Sequence, residues 1–205
     1  MEQQYFSDQA PASEDDLRTI FFEVRGHDLQ MSVSPKVFST SKLDLGTRQL
    51  LNEAPSLPEE GTFLDLGCGW GPIAVTMGLE SPAAKIWAVD VNSRAIDLTK
   101  RNANTNGLTH LTAELSEEAL DHARKSGTTF DVIWSNPPVR IGKAAMHQML
   151  IDWLSLLSNE GVAYLVMQRN LGADSLIAWL NGQGFASSKI ASKKGYRIIE
   201  VRPRS

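Results

Sequence analysis

The sequence predicts an α/β fold, a mostly parallel sheet with helices on both faces, and three observations carry that prediction. From Thr62 onward, apolar runs of strand length alternate with runs of helical spacing. The first such strand leads straight into a glycine-rich turn, Gly67-Cys-Gly-Trp-Gly, that opens a helix. Three strand ends carry polar side chains, Asp65, Asp90 and Asn136. They place chemistry along the sheet edge where α/β folds bind ligands.

Taken in order, residues 1–16 are rich in Gln, Ser, Ala and acids, contain no Lys or Arg, and read as a disordered tail. The β-rich runs from Arg18 to Val24 and from Asp28 to Ser34 flank Gly26-His27 and read as a hairpin. Leu43, Leu45, Leu50 and Leu51 have helical spacing, which predicts a helix from Ser41 that Pro55 closes. Phe63–Leu66 is a strand, Ile73–Leu79 a helix, Lys85–Asp90 a strand, and Ser93–Asn106 a helix that Gly107 terminates. Strands follow over Leu108–Leu115 and Phe130–Ser135, then a helix over Ala144–Leu157 and a strand over Gly161–Met167. A helix over Ser175–Leu180 and a late strand over Tyr196–Val201 complete the pattern. The expected organisation is one domain over residues 17–205, with 17–60 as a hairpin-and-helix extension and 61–205 as the core.

Composition narrows the function. Hydrophobic residues at 42% and charged residues at 21% suit one globular domain. No apolar run approaches a membrane span and the N-terminus has no signal-peptide pattern, so no membrane partner is expected. A lone cysteine, Cys68, cannot form an internal disulfide, which fits a reducing cytoplasm. His27, His110, His122 and His147 are scattered without metal-ligand spacing, so no metal is expected. A formal net charge of −4 argues against strong nonspecific binding to naked nucleic acid, which depends on phosphate neutralisation. It leaves room for a local basic face. Lys189, Lys193, Lys194, Arg197, Arg202 and Arg204 form either a solvated edge or a phosphate-contacting patch.

The motifs carry the chemistry. In Leu64-Asp-Leu-Gly-Cys-Gly-Trp-Gly, the glycines let the backbone turn sharply and let a ligand lie against it. The spacing differs from the dinucleotide form, and a carboxylate at Asp65 would repel a pyrophosphate. It suits the sulfonium and ammonium of S-adenosylmethionine. Asp90 ends the next strand about twenty residues on, where an acidic side chain accepts hydrogen bonds from ribose hydroxyls. A third motif, Ser135-Asn-Pro-Pro-Val-Arg, follows the fourth strand. Two prolines remove two backbone donors and stiffen the segment. What remains is an array of acceptors, the Asn136 side-chain oxygen and the Pro137 carbonyl, able to receive both hydrogens of a planar NH2 group. That favours a pyramidal nitrogen with its lone pair freed for in-line attack on a methyl group.

On these residues the chain resembles the small-domain class I methyltransferases, and most of all the ribosomal small-subunit guanine-N2 methyltransferases. The resemblance runs from about Arg18 to the C-terminus. It rests on Pro35-Lys-Val-Phe-Ser, Lys42-Leu-Asp-Leu-Gly-Thr, Leu64-Asp-Leu-Gly-Cys-Gly-Trp-Gly-Pro, Asp90-Val-Asn-Ser-Arg-Ala, Arg101-Asn-Ala-Asn-Thr-Asn-Gly-Leu, Asn136-Pro-Pro and Gly195-Tyr-Arg-Ile. It implies a Rossmann-like class I methyltransferase fold with a mostly parallel seven-stranded sheet and an N-terminal β-hairpin extension. It implies S-adenosyl-L-methionine as cofactor, with S-adenosyl-L-homocysteine as product, and ribosomal RNA or the small ribosomal subunit as partner.

The expected roles follow. Asn136, Pro137, Pro138 and Arg140 are the catalytic candidates, with Arg140 either on a phosphate or guanine edge or simply at the surface. Asp65, Leu66, Gly67, Cys68, Gly69, Asp90, Val91 and Asn136 are the cofactor-pocket candidates. In similar proteins the stretch ahead of the core lies over the cofactor, which adds Phe38, Asp44 and Thr47. Read by themselves, these three are a core Phe, a helix cap and a first-turn Thr. Two departures from the family pattern matter. Adenine and glutamine-amide methyltransferases usually place Tyr or Phe after Asn-Pro-Pro, where this chain has Val139, so a stacking partner is expected elsewhere, with Phe38 the named candidate. The larger ribosomal enzymes of the group carry an additional N-terminal domain, where this sequence has the tail and hairpin. The expected activity is methylation of a guanine N2 in ribosomal RNA. Its alternatives are a small amine or a protein glutamine as acceptor, or a cofactor-binding module without catalysis.

Overall fold

Strands β1 (Arg18–Val24) and β2 (His27–Val33) pair antiparallel around Arg25-Gly26, both at positive φ, 51° and 77°. Two consecutive left-handed residues match the twist of a two-residue hairpin. The computed structural model describes residues 16–34, 37 and 42–204. After the hairpin come α1 (Leu45–Glu53), β3 (Thr62–Leu66), α2 (Pro72–Glu80), β4 (Lys85–Asp90), α3 (Ser93–Thr105) and β5 (Leu111–Leu115). Then follow α4 (Ser116–Ser126), β6 (Phe130–Ser135), α5 (Lys143–Leu154), β7 (Leu157–Gln168), α6 (Ala173–Gly182), β8 (Phe185–Lys193) and β9 (Tyr196–Pro203).

Strands β3 to β9 form one seven-stranded sheet in the order β5-β4-β3-β6-β7-β9-β8. The first five run parallel, and β9 and β8 close the edge antiparallel. One apolar cluster joins Leu50 and Leu51 of α1, Ile73 and Met77 of α2 and Ile96 and Leu98 of α3 to one face of the sheet. A second joins Ala119 of α4, Leu150 and Trp153 of α5 and Leu176 and Leu180 of α6 to the other. Strands covered on both faces read as near-continuous apolar runs, as Phe63-Leu64 and Val132-Ile133-Trp134 do. The order reverses between β3 and β6, and in open α/β sheets ligands bind at the C-terminal strand ends beside such a reversal.

The fold class agrees with the expectation; several element bounds do not. α1 begins at Leu45 because the Asp44 carboxylate accepts from Thr47 N and caps the helix; Ser41 lies outside the described residues. β5 begins at Leu111, since Leu108 N donates to Ala103 O and closes the turn at Gly107. α5 stops at Leu154, and Leu157 already belongs to β7. Neither α4 nor β8 was expected. The buried face of α4 consists of Ala119 and Ala123 alone, too weak a periodic signal. β8 is a mostly exposed Ser- and Lys-rich edge strand with a register shift between Lys189 and Ala191, which erases alternation.

Side chains from the core fasten the extension. Asn102 of α3 accepts from Ser32 N at 2.6 Å and donates to Ser32 O at 2.9 Å and Trp70 O at 2.7 Å. One turn later Asn106 accepts from Gln30 N and donates to Gln30 O. The two amides thus pair with β2 as a neighbouring strand would. Arg25, at the hairpin turn, pairs with Glu80 and donates to Leu51 O and Ala54 O at the end of α1. Asn102 is fully buried, so Asn102→Ala strands three backbone partners. A loss of about 2–4 kcal/mol is expected, read as a shift of the urea midpoint at unchanged m-value.

Candidate active site

The candidate site is built first by the turn after β3. Gly67 and Gly69 have φ of 80° and 58°, where L side chains are strained. Among the described residues, a Cβ on Gly69 would meet nothing within 4 Å, and one on Gly67 would meet only Pro138 at 4.0 Å. Against those residues the two glycines bare a strip of backbone, which is room for a ligand. Gly71 is different in kind, because a Cβ there would strike Thr99 at 2.9 Å; its role is packing against α3.

Two carboxylates lie beneath this turn. Asp65 is fully buried; its Oδ2 accepts from Ala74 N at 2.9 Å in the first turn of α2, and its Oδ1 has no hydrogen-bond partner. Burial pushes its pKa up to about 8, against the bond from Ala74, with the nearby charge of Asp90 adding to the rise. Asp90 accepts from Gly69 N at 2.9 Å and from Asn92 N at 3.0 Å, tying the glycine turn to the end of β4. Leu66 and Cys68 are buried, while Val91, just past Asp90, is 51% exposed. Burial, then Asp90 and Asp65, pushes the Cys68 thiol well up, so it stays protonated and is no nucleophile. An orphaned buried acceptor, a bare glycine strip and a second acid at the next strand end together fit a ligand carrying a cation and a ribose. S-adenosylmethionine has both.

The acceptor side is built around Asn136. Its Nδ2 donates to Asp44 Oδ2 at 2.8 Å and to Thr47 Oγ1 at 3.1 Å. A carboxylate only accepts, so the NH2 must face Asp44 and the Oδ1 must face away from it. The Asn136 oxygen is thereby held as an acceptor. The strand below is fixed too, because Ser135 Oγ donates to Leu66 O at 2.7 Å across β6 and β3. Pro137 is buried, and the Pro138 carbonyl accepts from Ile141 N in the 3-10 turn Val139–Ile141. Arg140 is exposed on that turn.

Asp44 and Thr47, expected over the cofactor, thus hold the catalytic-candidate amide while serving as helix cap and first-turn residue. Phe38 lies outside the described residues. Tyr196 was not among the expected site residues. Its Cε1 lies 3.0 Å from where a Cβ on Gly46 would stand, and Asn136 Nδ2 lies 3.3 Å from the same point. Its signals in the sequence are the Gly195-Tyr-Arg-Ile motif and the Lys194-Gly195 turn that starts β9. Among the described residues no group of three or more His, Cys, Asp or Glu side chains could hold a metal, and no helix is long and apolar enough to cross a membrane.

A seven-stranded sheet in this order, with a glycine turn after β3, an acid at the end of β4 and an oriented Asn-Pro-Pro after β6, is the architecture of a Rossmann-like methyltransferase. Residues 28–200 match the methyltransferase small domain family model, and the chain belongs to that family. It is an S-adenosylmethionine-dependent methyltransferase. It is 32% identical to Bacillus subtilis YbxB over 98% of this chain and 99% of that protein. It is 30% identical to the ribosomal RNA large subunit methyltransferase G of Aliivibrio fischeri over 89% of this chain and 48% of that protein. Among solved structures, the 16S rRNA N2 methyltransferase RsmC of T. thermophilus, in complex with AdoMet and guanosine, aligns with a TM-score of 0.74 at 21% identity. That alignment covers 96% of this chain and 53% of RsmC. The chain thus spans nearly all of YbxB and about half of the two ribosomal RNA enzymes.

Proposed function

We propose that the chain methylates the exocyclic N2 of a guanine in ribosomal RNA, with S-adenosylmethionine bound across the ends of β3 and β4. The observation that carries this reading is the orientation of Asn136, whose amide hydrogens are both committed to α1 so that its oxygen meets the acceptor. Ribosomal RNA as substrate is supported by the names of the relatives, which include enzymes of the large subunit and of the small.

Gly67 and Gly69 would leave backbone open to the cofactor, Asp90 would accept from its ribose, and Asp65 would hold its cationic methionine end. Val91 offers an apolar surface to the adenine. The bound cofactor supplies an electrophilic methyl group on sulfur. The Asn136 oxygen and the Pro137 carbonyl each accept one hydrogen of the acceptor NH2. They would turn its nitrogen lone pair away from the ring and toward the methyl group; as the N–C bond forms the S–C bond breaks, S-adenosylhomocysteine leaves, and the methylated nitrogen gives up one proton to solvent. Because these acceptors are fixed before substrate arrives, little reorganisation is needed at the moment of reaction. A guanine inside a helix hides its amino group, so the base must be reached in a loop or flipped out.

Nucleoside mass spectrometry of 16S and 23S rRNA from a strain lacking the protein tests this. One N2-methylguanosine is expected to disappear and to return when purified protein and labelled S-adenosylmethionine are added to the subunits. Label on protein or a small amine, with none on RNA, would refute the RNA assignment.

A further inference from the structure

We propose that Tyr196, at the start of β9, is the flat surface on which the acceptor base stacks, so that the β8–β9 hairpin orients the substrate; this rests on the RNA reading above. A planar acceptor must be held by its faces as well as by its amino group, or the nitrogen lone pair swings off line. The residue after Asn-Pro-Pro does not provide a face. Val139 is aliphatic and packs against the apolar cluster of α5 and α6.

The strand order shows where such a face must lie. The glycine turn follows β3, Asn136 follows β6, and the next strand, β7, ends at Gln168 directly opposite Tyr196. Asn136 therefore stands between the cofactor half of the sheet and Tyr196. The hairpin turn brings the ring to this edge, since Arg169 N donates to Gly195 O at 2.8 Å just beyond the end of β7.

Gly46 shows how close the ring comes. A Cβ built there would lie 3.0 Å from Tyr196 Cε1, 3.1 Å from Asp44 Oδ2 and 3.3 Å from Asn136 Nδ2. This glycine has an ordinary helical backbone, so what it provides is space, letting the ring lie on the first turn of α1 beside the Asn136 clamp. Tyr196 is half-buried and packs against the apolar cluster that includes Leu50 and Leu51 of α1. Its phenol is pushed up by burial and then by the Asp44 charge, which agrees with that proximity. The same turn carries exposed Lys193 and Lys194, and Lys193 pairs with Glu53 at the C-terminal end of α1.

The test uses the intact protein, rRNA from the strain lacking it, and the variants Tyr196→Phe and Tyr196→Leu. Tyr196→Phe is expected to keep kcat/KM for RNA within about threefold. Tyr196→Leu is expected to lose roughly ten- to hundredfold, the usual worth of one base–aromatic stack, with S-adenosylmethionine affinity and Tm close to wild type. If Tyr196→Leu does not fold, Tyr196→Gln against Tyr196→His gives the same comparison of non-planar with planar side chains. An active wild type with an equally active Leu variant, or a Leu variant that loses cofactor affinity in proportion, overturns the stacking role alone. A wild type inert on RNA overturns the RNA reading and this inference with it.

Discussion

Asn136→Ala is expected to lower kcat by about 10²–10³-fold, the usual cost of removing one preorganised polar group from the reacting centre. The fold should survive, because Asn136 is only half-buried and the strand beneath is held by Ser135 and by its pairing with β3 and β7. More telling is the coupling to Asp44. Asp44→Ala removes the N-cap of α1, which costs about 0.5–2 kcal/mol, and frees the Asn136 amide to rotate. A misdirected acceptor is expected to cost up to about 10²-fold in kcat. Asp44→Asn retains an oxygen able to take both hydrogen bonds and should stay far closer to wild type. In the Asn136→Ala background the Asp44→Ala change should have no further effect on kcat, while its effect on Tm persists. Additive kcat losses in that double-mutant cycle would mean that Asp44 acts by another route.

What was legible in the sequence and what was not divides along the same lines. Asp65, Asp90 and Asn136 could be read because each lies in the last residues of a short, largely buried strand or just beyond it, and such strands announce themselves as apolar runs. The glycine turn could be read because positive φ and close ligand approach both demand glycine. The clamp could not. Asp44 and Asn136 are 92 positions apart, and only the packing of α1 against β7 and β9 brings them together. Read locally, Asp44 is a helix cap, which it also is. Tyr196 has no local mark of a site residue beyond its motif, because the strand that presents it pairs with β8, and β8 has no apolar alternation to betray it. Nor does the pairing of Asn102 and Asn106 with β2 have a local signature, since asparagines one turn apart on a helix ordinarily face water. The sequence thus shows each residue's local duty, whereas the long-range partner that turns a cap into a positioning residue appears only in the fold.

Asp65 leads to the second large effect, on binding and stability together. Its carboxyl is fully buried with one oxygen unpartnered, and its pKa stands at about 8 against the ordinary 3.8. For a carboxyl raised in the folded state, the contribution to stability is present below the unfolded pKa and is lost as pH rises through the folded value. The ligand-free protein should therefore lose stability on the order of a few kcal/mol between pH 4 and pH 8 from this group alone. A cation placed against the carboxylate reverses the preference, so binding S-adenosylmethionine at pH 7 should expel close to one proton. Calorimetry in two buffers of different ionisation enthalpy measures that release. The cofactor's own α-amine titrates near pH 8, so the decisive quantity is the difference between wild type and Asp65→Asn. The variant keeps an oxygen for Ala74 N and removes the titration. It should release about one proton less, bind more than tenfold more weakly at pH 8, and yet show a higher Tm than wild type without ligand at that pH. Stability sacrificed at a buried acid and regained on binding marks a group retained for its ligand rather than for the fold. Equal proton release by the two proteins would leave Asp65 as nothing more than a cap for α2.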